Sequence, residues 1–144
     1  MIYFDTSALI KKYVAEPGSE KIRSLVAKET ARYTSKLTFA ETCASLARKK
    51  REGGLEDRHH RAALNSYLQD WETFVQVELL DDLLPIVRRL VETYPLRGAD
   101  AVHLASAIWI RDKIGEAVTF AASDKVLNAA ATGEGFRVFD PVAE

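Results

Sequence analysis

The strongest constraint in this sequence is a set of four acidic residues, each standing where an apolar, strand-like run meets a helix-like run. They are Asp5, Glu41, Asp100 and Asp124. In a parallel α/β sheet the strand ends and the following helix starts lie along one edge, which is where such folds bind ligands. Four carboxylates that converge there would repel one another unless a divalent cation sat between them. The pattern therefore predicts metal-dependent chemistry on a phosphate group.

The rest of the chain alternates short strand-like runs with helical runs. Predicted strands cover residues 1–4, 32–35, 75–79, 117–121 and 137–139, and predicted helices cover residues 6–14, 19–28, 38–51, 56–74, 82–94, 99–114 and 125–131. This alternation favours a mostly parallel sheet with helices on both faces, so the predicted fold class is a three-layer α/β/α domain. The helix over residues 99–114 is apolar on most of its faces and is predicted to be central and buried.

Length and composition limit the class of protein. A chain of 144 residues without a repeat or a long linker predicts a single domain over residues 1–144. The net charge of −1 excludes a global basic field, so any nucleic-acid contact would need a local patch. The single cysteine, Cys43, fits a reducing compartment. No run approaches the roughly 20 apolar residues that span a bilayer, and we recognise no signal peptide, so we expect a cytoplasmic protein without a membrane partner.

Each acidic residue also has an interpretation that needs no metal. Asp5 and Asp124 suit helix N-caps. Glu41 completes a capping box that would begin at Thr38. Asp100 would complement the dipole at the start of its helix, but a charge at the mouth of a buried helix is costly unless it is paired or metal-bound. Carboxylates are the hard oxygen ligands that Mg²⁺ and Mn²⁺ prefer, so either ion is the predicted cofactor.

Polar neighbours of these carboxylates are secondary candidates. Thr6 and Ser7 could hold a carboxylate or a metal-bound water, or could only cap the first helix. His103 lies one turn beyond Asp100 and is the natural candidate for a general base. A histidine in an apolar helix is more often a structural residue, and we favour that interpretation.

Six basic residues are candidates for binding RNA. Four end the helix that carries Glu41, and two lie on the first helix. Basic residues favour helix C-termini for electrostatic reasons alone, but a run of four is longer than that requires. The predicted phosphate-binding rim consists of Arg48, Lys49, Lys50, Arg51, Lys11 and Lys12.

At these residues the chain resembles the PIN-domain family, specifically the toxins of VapBC toxin–antitoxin pairs. Four segments carry the resemblance in the family's order: MIYFDTSALIKKYV, TFAETCASLAR, LRGADAVHLASA and TFAASDKVLNAAA. Together they span nearly the whole chain. The Asp-Ala-x-His-Leu-Ala stretch in the third segment is among the family's clearest signatures.

The resemblance implies a compact α/β/α domain with Mg²⁺- or Mn²⁺-dependent endoribonuclease activity. A metal-activated water would cut RNA to leave 5′-phosphate and 3′-hydroxyl ends. Three acidic residues would be core metal ligands and the fourth a second-site or water-mediated ligand: Asp5, Glu41, Asp100 and, last, Asp124. Ser7 would be a supporting residue, and a role for Ser123 stays open. The resemblance further implies a homodimer and a VapB-like antitoxin that blocks the site, in a heterotetramer or larger assembly.

Three other classes of protein remain for comparison. A haloacid-dehalogenase-like phosphatase needs a second aspartate two positions after Asp5, where this chain has Ser7, and a response-regulator receiver needs an acidic pair and a late lysine that are missing here. A non-catalytic RNA- or protein-binding module would keep the fold without the chemistry. A purely structural domain with well-capped helices does not explain Asp100.

Overall fold

The computed structural model describes residues 1–143 and contains one five-stranded sheet. Its strands are β1 (Ile2–Phe4), β2 (Arg32–Ser35), β3 (Val75–Val77), β4 (Thr119–Ala121) and β5 (Arg137–Phe139). The order across the sheet is β3-β2-β1-β4-β5, and every neighbouring pair is parallel. β1 is therefore central, with Tyr3 in register with Tyr33 on one side and Phe120 on the other. The predicted parallel sheet is confirmed.

Seven α-helices connect and cover the strands in the described part of the chain. They are α1 (Thr6–Leu9), α2 (Ser19–Lys28), α3 (Lys36–Arg51), α4 (Asp57–Trp71), α5 (Leu84–Thr93), α6 (Gly98–Ile114) and α7 (Lys125–Gly133). A 3-10 turn over Ile10–Lys12 extends α1, and another over Asp81–Leu83 precedes α5. None of these helices is both long and apolar enough to cross a membrane.

The core lies in two layers, one on each face of the sheet, because successive side chains of a strand point to opposite sides. On one face Tyr3 and Phe120 pack in a cluster with residues of α5, α6 and α7. On the other face Ile2 and Phe4 pack in a cluster with residues of α1, α2 and α4. The three-layer α/β/α architecture is confirmed, and the parallel strands direct their carboxyl ends to a single edge.

The long helix α6 is as central as its sequence predicted. Eight of its residues are buried: Ala101, His103, Leu104, Ala105, Ser106, Ala107, Ile108 and Ile110. Apolar side chains on several faces allow it to pack against β1 and against α5 and α7 at once. A helix held on several sides is a rigid support for the charged groups at its N-terminus.

One predicted helix start and one predicted helix end need correction. The capping box at Thr38 is wrong, because α3 begins at Lys36 and the Ser35 hydroxyl accepts the Leu37 N–H at 3.0 Å. Thr38 is instead buried inside α3 and shares a hydrogen bond of 2.7 Å with Thr34 on β2. The predicted first helix over residues 6–14 is shorter, since its second half adopts the tighter 3-10 geometry. Residue 144, the last of the predicted domain, lies outside the described residues.

A glycine with a left-handed backbone offers a test of the packing at the start of α2. Gly18 has φ +92°, and a Cβ added there would lie 2.9 Å from the Pro141 carbonyl oxygen. Gly18→Ala should lower the free energy of unfolding by roughly 1–3 kcal/mol, because both the backbone conformation and the contact become unfavourable. Gly98→Ala is the matched control, since nothing lies within 4 Å of its added Cβ. Equal urea midpoints for the two variants would contradict this packing.

Candidate active site

The four predicted acidic residues lie together in one cleft at the carboxyl edge of the sheet. The cleft has a volume of about 380 Å³ and is lined by Asp5, Glu41, Asp100 and Asp124, with Thr6 and Ser7 beside them. Asp5 follows β1 directly, and Asp124 follows β4 as the N-cap of α7. Glu41 lies in the second turn of α3 and Asp100 in the first turn of α6. The topology thus collects carboxylates from four separate segments.

Ser7 holds Asp5 in place and joins two strand ends. Its backbone N–H and its hydroxyl both donate to Oδ2 of Asp5, at 3.0 and 2.5 Å. The same hydroxyl accepts the Ser123 N–H at 2.9 Å, which ties the end of β1 to the segment after β4. Asp5 is only 4% exposed, so these bonds replace the water it loses on folding. The predicted N-cap role of Asp5 is therefore confirmed.

Glu41 is held by donors from two other elements. Its Oε1 accepts the Thr6 hydroxyl at 2.8 Å and pairs with His103 Nε2 at 2.6 Å. Partial burial acts to raise the pKa of Glu41, but the bond to His103 and its charge, together with Thr6, lower it by more. Glu41 is therefore ionised more readily than an ordinary glutamate.

His103 lies beneath the carboxylates with 1% of its surface exposed. Its Nδ1 shares a hydrogen bond of 2.9 Å with the Tyr3 hydroxyl, and its Nε2 lies 3.5 Å from Asp5 Oδ1. Burial acts to lower the pKa of His103, but the charges of Asp5 and Glu41 outweigh it, so the pKa is raised. The ring is enclosed by the residues it bonds, which supports the structural interpretation over a general base.

Asp100 is paired with an arginine that the sequence analysis overlooked. Arg97, the N-cap residue of α6, donates from Nε to Asp100 Oδ2 at 3.2 Å. Burial raises the pKa of Asp100, Arg97 lowers it in part, and the charges of Asp5 and Asp124 add to the increase. A signal in the sequence could have identified Arg97: it is a basic residue just before a predicted helix and three positions before the acidic candidate Asp100.

The donor set fits a hard divalent cation, although the side chains are not arranged around one. Each of the four carboxylates accepts its hydrogen bonds through one oxygen: Asp5 Oδ2, Glu41 Oε1, Asp100 Oδ2 and Asp124 Oδ1. Their other oxygens accept none among residues 1–143, which leaves hard ligands for Mg²⁺ or Mn²⁺. Within the same residues no group of three or more His, Cys, Asp or Glu side chains could hold an ion as it stands. Ion binding would therefore require these side chains to adjust so that the oxygens without hydrogen bonds converge on one point.

The six predicted RNA-binding residues do not gather at the cleft. Only Arg48 lines it. The four lysines each lie near a carboxylate: Lys11 and Lys49 near Glu16, Lys12 near Asp70, and Lys50 near Asp57. Arg51 is exposed on the last turn of α3. Much of the predicted basic rim thus neutralises acidic residues, which lie from five positions away for Lys11 to 58 positions away for Lys12.

Comparison with known proteins agrees with this arrangement. The family model of the PIN domain matches residues 2–131. This chain belongs to the PIN domain family. The PIN domain here is 33% identical over 138 residues to ribonuclease VapC45 of Mycobacterium tuberculosis (strain CDC 1551 / Oshkosh), an alignment that covers 96% of this chain and 94% of the relative. Ribonuclease VapC49 of M. tuberculosis (strain ATCC 25618 / H37Rv) matches with the same identity and coverage. The resemblance to VapC-type PIN proteins is therefore confirmed.

Solved structures share the fold of this PIN domain. FitAcB from Neisseria gonorrhoeae superposes with a TM-score of 0.70 and 19% identity, covering 98% of both chains. A toxin–antitoxin complex from Klebsiella pneumoniae gives a TM-score of 0.68, with the same identity and coverage. At this level of identity the likeness speaks for the fold alone.

The bond between Tyr3 and His103 can be tested through stability. Tyr3→Phe should lower the free energy of unfolding by about 1–3 kcal/mol, because it leaves His103 Nδ1 buried without a partner. Tyr33→Phe is a close control, since Tyr33 is the register neighbour of Tyr3 and, among residues 1–143, its hydroxyl reaches only Met1 Sδ at 3.9 Å. Chemical denaturation of both variants measures the difference, and equal losses would contradict the bond.

Proposed function

We propose that this PIN domain is a metal-dependent endoribonuclease and the toxin of a type II toxin–antitoxin pair. The observation that carries the proposal is the convergence of four carboxylates, from four segments, in one cleft. The names of the relatives support the reaction class, since both VapC45 and VapC49 are called ribonucleases. A non-catalytic module would have no need of all four carboxylates and is not favoured.

Asp5, Glu41, Asp100 and Asp124 would hold the ion, Mg²⁺ or Mn²⁺. When bound, such an ion supplies positive charge that activates a water and stabilises the leaving oxygen of a phosphodiester. The chain's own residues set the ligands: Ser7 fixes the direction of the Asp5 carboxylate, and Thr6 and His103 fix that of Glu41. Ser123 contributes through its backbone N–H, which orients the Ser7 hydroxyl.

The proposed partners are an RNA substrate and a VapB-like antitoxin. Support for the antitoxin comes from fold neighbours described as a toxin–antitoxin complex and as FitAB bound to a DNA fragment. A homodimer, and a heterotetramer or larger complex with the antitoxin, complete the proposal. The proposed location is the cytoplasm, which suits the single free cysteine.

Cleavage of a mixed cellular RNA pool by antitoxin-free protein tests the reaction. Wild-type protein should cut at few sites with Mg²⁺ or Mn²⁺ and should stop with EDTA. Asp100→Asn should lose at least about a hundredfold in rate, because a metal ligand supports several kcal/mol of transition-state stabilisation. It should remain folded, since it removes a carboxylate that its acidic neighbours disfavour.

Asp112→Asn is the matched control for that experiment. Asp112 lies on the same helix, is 67% exposed and pairs only with Arg111 among the described residues. The Asp112→Asn variant should cleave RNA at the rate of the wild type. Normal cleavage by Asp100→Asn, or cleavage that persists in EDTA, would refute the proposed mechanism.

A further inference from the structure

Arg97 lines the cleft, but its side chain neither caps a helix nor packs in the core. It is the N-cap residue of α6, yet its side chain makes no capping hydrogen bond. The side chain is 81% exposed and lines the cleft with Asp100, Asp124 and Arg48. Packing does not explain why an arginine stands here. The explanation must therefore lie in what its positive charge can bind.

Two arginines, Arg89 and Arg111, are committed to the fold in a way that Arg97 is not. The Arg89 guanidinium donates to both carboxylate oxygens of Glu134, at 3.2 and 2.6 Å. Arg111 donates to the Glu134 carbonyl at 2.6 Å and lies over the Phe136 ring. Arg97 donates through Nε alone, and neither of its Nη groups has a hydrogen-bond partner among residues 1–143. A planar pair of donors is therefore available to an outside acceptor.

The cleft is negatively charged, so a negatively charged RNA strand would need positively charged donors to bind there. Four carboxylates and two guanidiniums line it, so its surface has a negative surplus while RNA is a polyanion. The Arg97 guanidinium is protonated at any physiological pH, as arginine is in proteins generally. A strand that passes over the carboxylates meets Arg97 on α6 and Arg48 on α3.

We propose that Arg97 binds a phosphate of the RNA strand through its two Nη groups while Asp100 holds its Nε. A guanidinium suits this task because its fork matches two phosphate oxygens at once, and its pairing with Asp100 fixes one side of the fork. The inference rests on the proposed function, since it takes RNA as the ligand of the same cleft. It adds a substrate-binding residue that acts through direct contact and needs no bound ion.

The test measures binding of a fluorescently labelled single-stranded RNA of mixed sequence, in EDTA, over a series of salt concentrations. Arg97→Ala should weaken binding at least about tenfold, because it removes a charged, two-pronged contact with a phosphate. It should also reduce the slope of log K against log salt by about 0.7, the value for one phosphate contact on a single strand. Arg97→Lys should keep the slope and lose part of the affinity.

Arg88→Ala is the control, because Arg88 is 82% exposed and is bound through Nε to Glu92 at 3.1 Å, outside the cleft. Equal binding and equal slopes for Arg97→Ala and Arg88→Ala would overturn the proposal, as would wild-type protein that fails to bind RNA in EDTA. A gain in Mn²⁺ affinity in Arg97→Ala with unchanged RNA binding, measured by calorimetry, would make Arg97 only a counter-ion of Asp100 and would also overturn it.

Cleavage in Mg²⁺ is scored separately, so the two proposals can fail independently. Wild-type protein that binds RNA through Arg97 but cuts nothing would refute the proposed function and leave the phosphate contact standing. The opposite result is that the wild type cuts RNA while Arg97→Ala binds RNA with unchanged affinity and unchanged salt slope. That result would overturn the phosphate contact and leave the proposed function standing. Melting temperatures of all variants establish that the comparison is made between folded proteins.

Discussion

The site depends on one buried histidine that holds acidic residues of separate segments near one another. His103 comes from the most buried helix, bonds Tyr3 in the central strand and pairs with Glu41 on a third element. Carboxylates brought together by folding repel each other, and burial removes the water that would screen them. The neighbouring carboxylates raise the pKa of His103, which favours a proton on its ring, and that positive charge opposes the repulsion from inside the protein. This explains how the cleft can be assembled before any ion arrives.

The same arrangement leaves carboxylate oxygens in the cleft available to a ligand. Each carboxylate keeps one oxygen free of hydrogen bonds among the described residues, while its other oxygen is fixed by the protein. A residue fixed at one oxygen loses little conformational freedom when the other binds a ligand, which favours association. The bonds to His103 and Arg97 occupy one oxygen each of Glu41 and Asp100, so they leave the other oxygen to an ion. The site therefore offers ligands that the protein already holds in place.

The sequence predicted the parallel sheet, the order of the helices and the convergence of the four carboxylates. For Asp5 and Asp124 the convergence follows from a local pattern, because an acidic residue after a strand is carried to the sheet edge with that strand. Asp100 follows the helix α5 and not a strand, so its place at the edge depends on how α6 packs. The capping box at Thr38 failed for a local reason, since Ser35 caps the helix earlier and frees Thr38 to bond Thr34. Thr38 and Glu41 matched a short motif, but the preceding strand β2 already ends in the residue that caps the helix.

The basic rim could not be judged from the sequence alone, because two of its lysines, Lys12 and Lys49, pair with acidic residues far along the chain. Lys12 and Asp70 are 58 positions apart, and only the packing of α4 beside the first 3-10 turn makes them neighbours. Lysines placed near carboxylates contribute little net field to an approaching polyanion, whereas a guanidinium with free donors contributes both charge and direction. The chain's near-neutral net charge therefore does not show how unevenly the unpaired positive charges are distributed over its surface. If RNA is held at this cleft, its affinity comes from few, well-placed contacts, and its dependence on salt should be shallower than six basic residues would suggest.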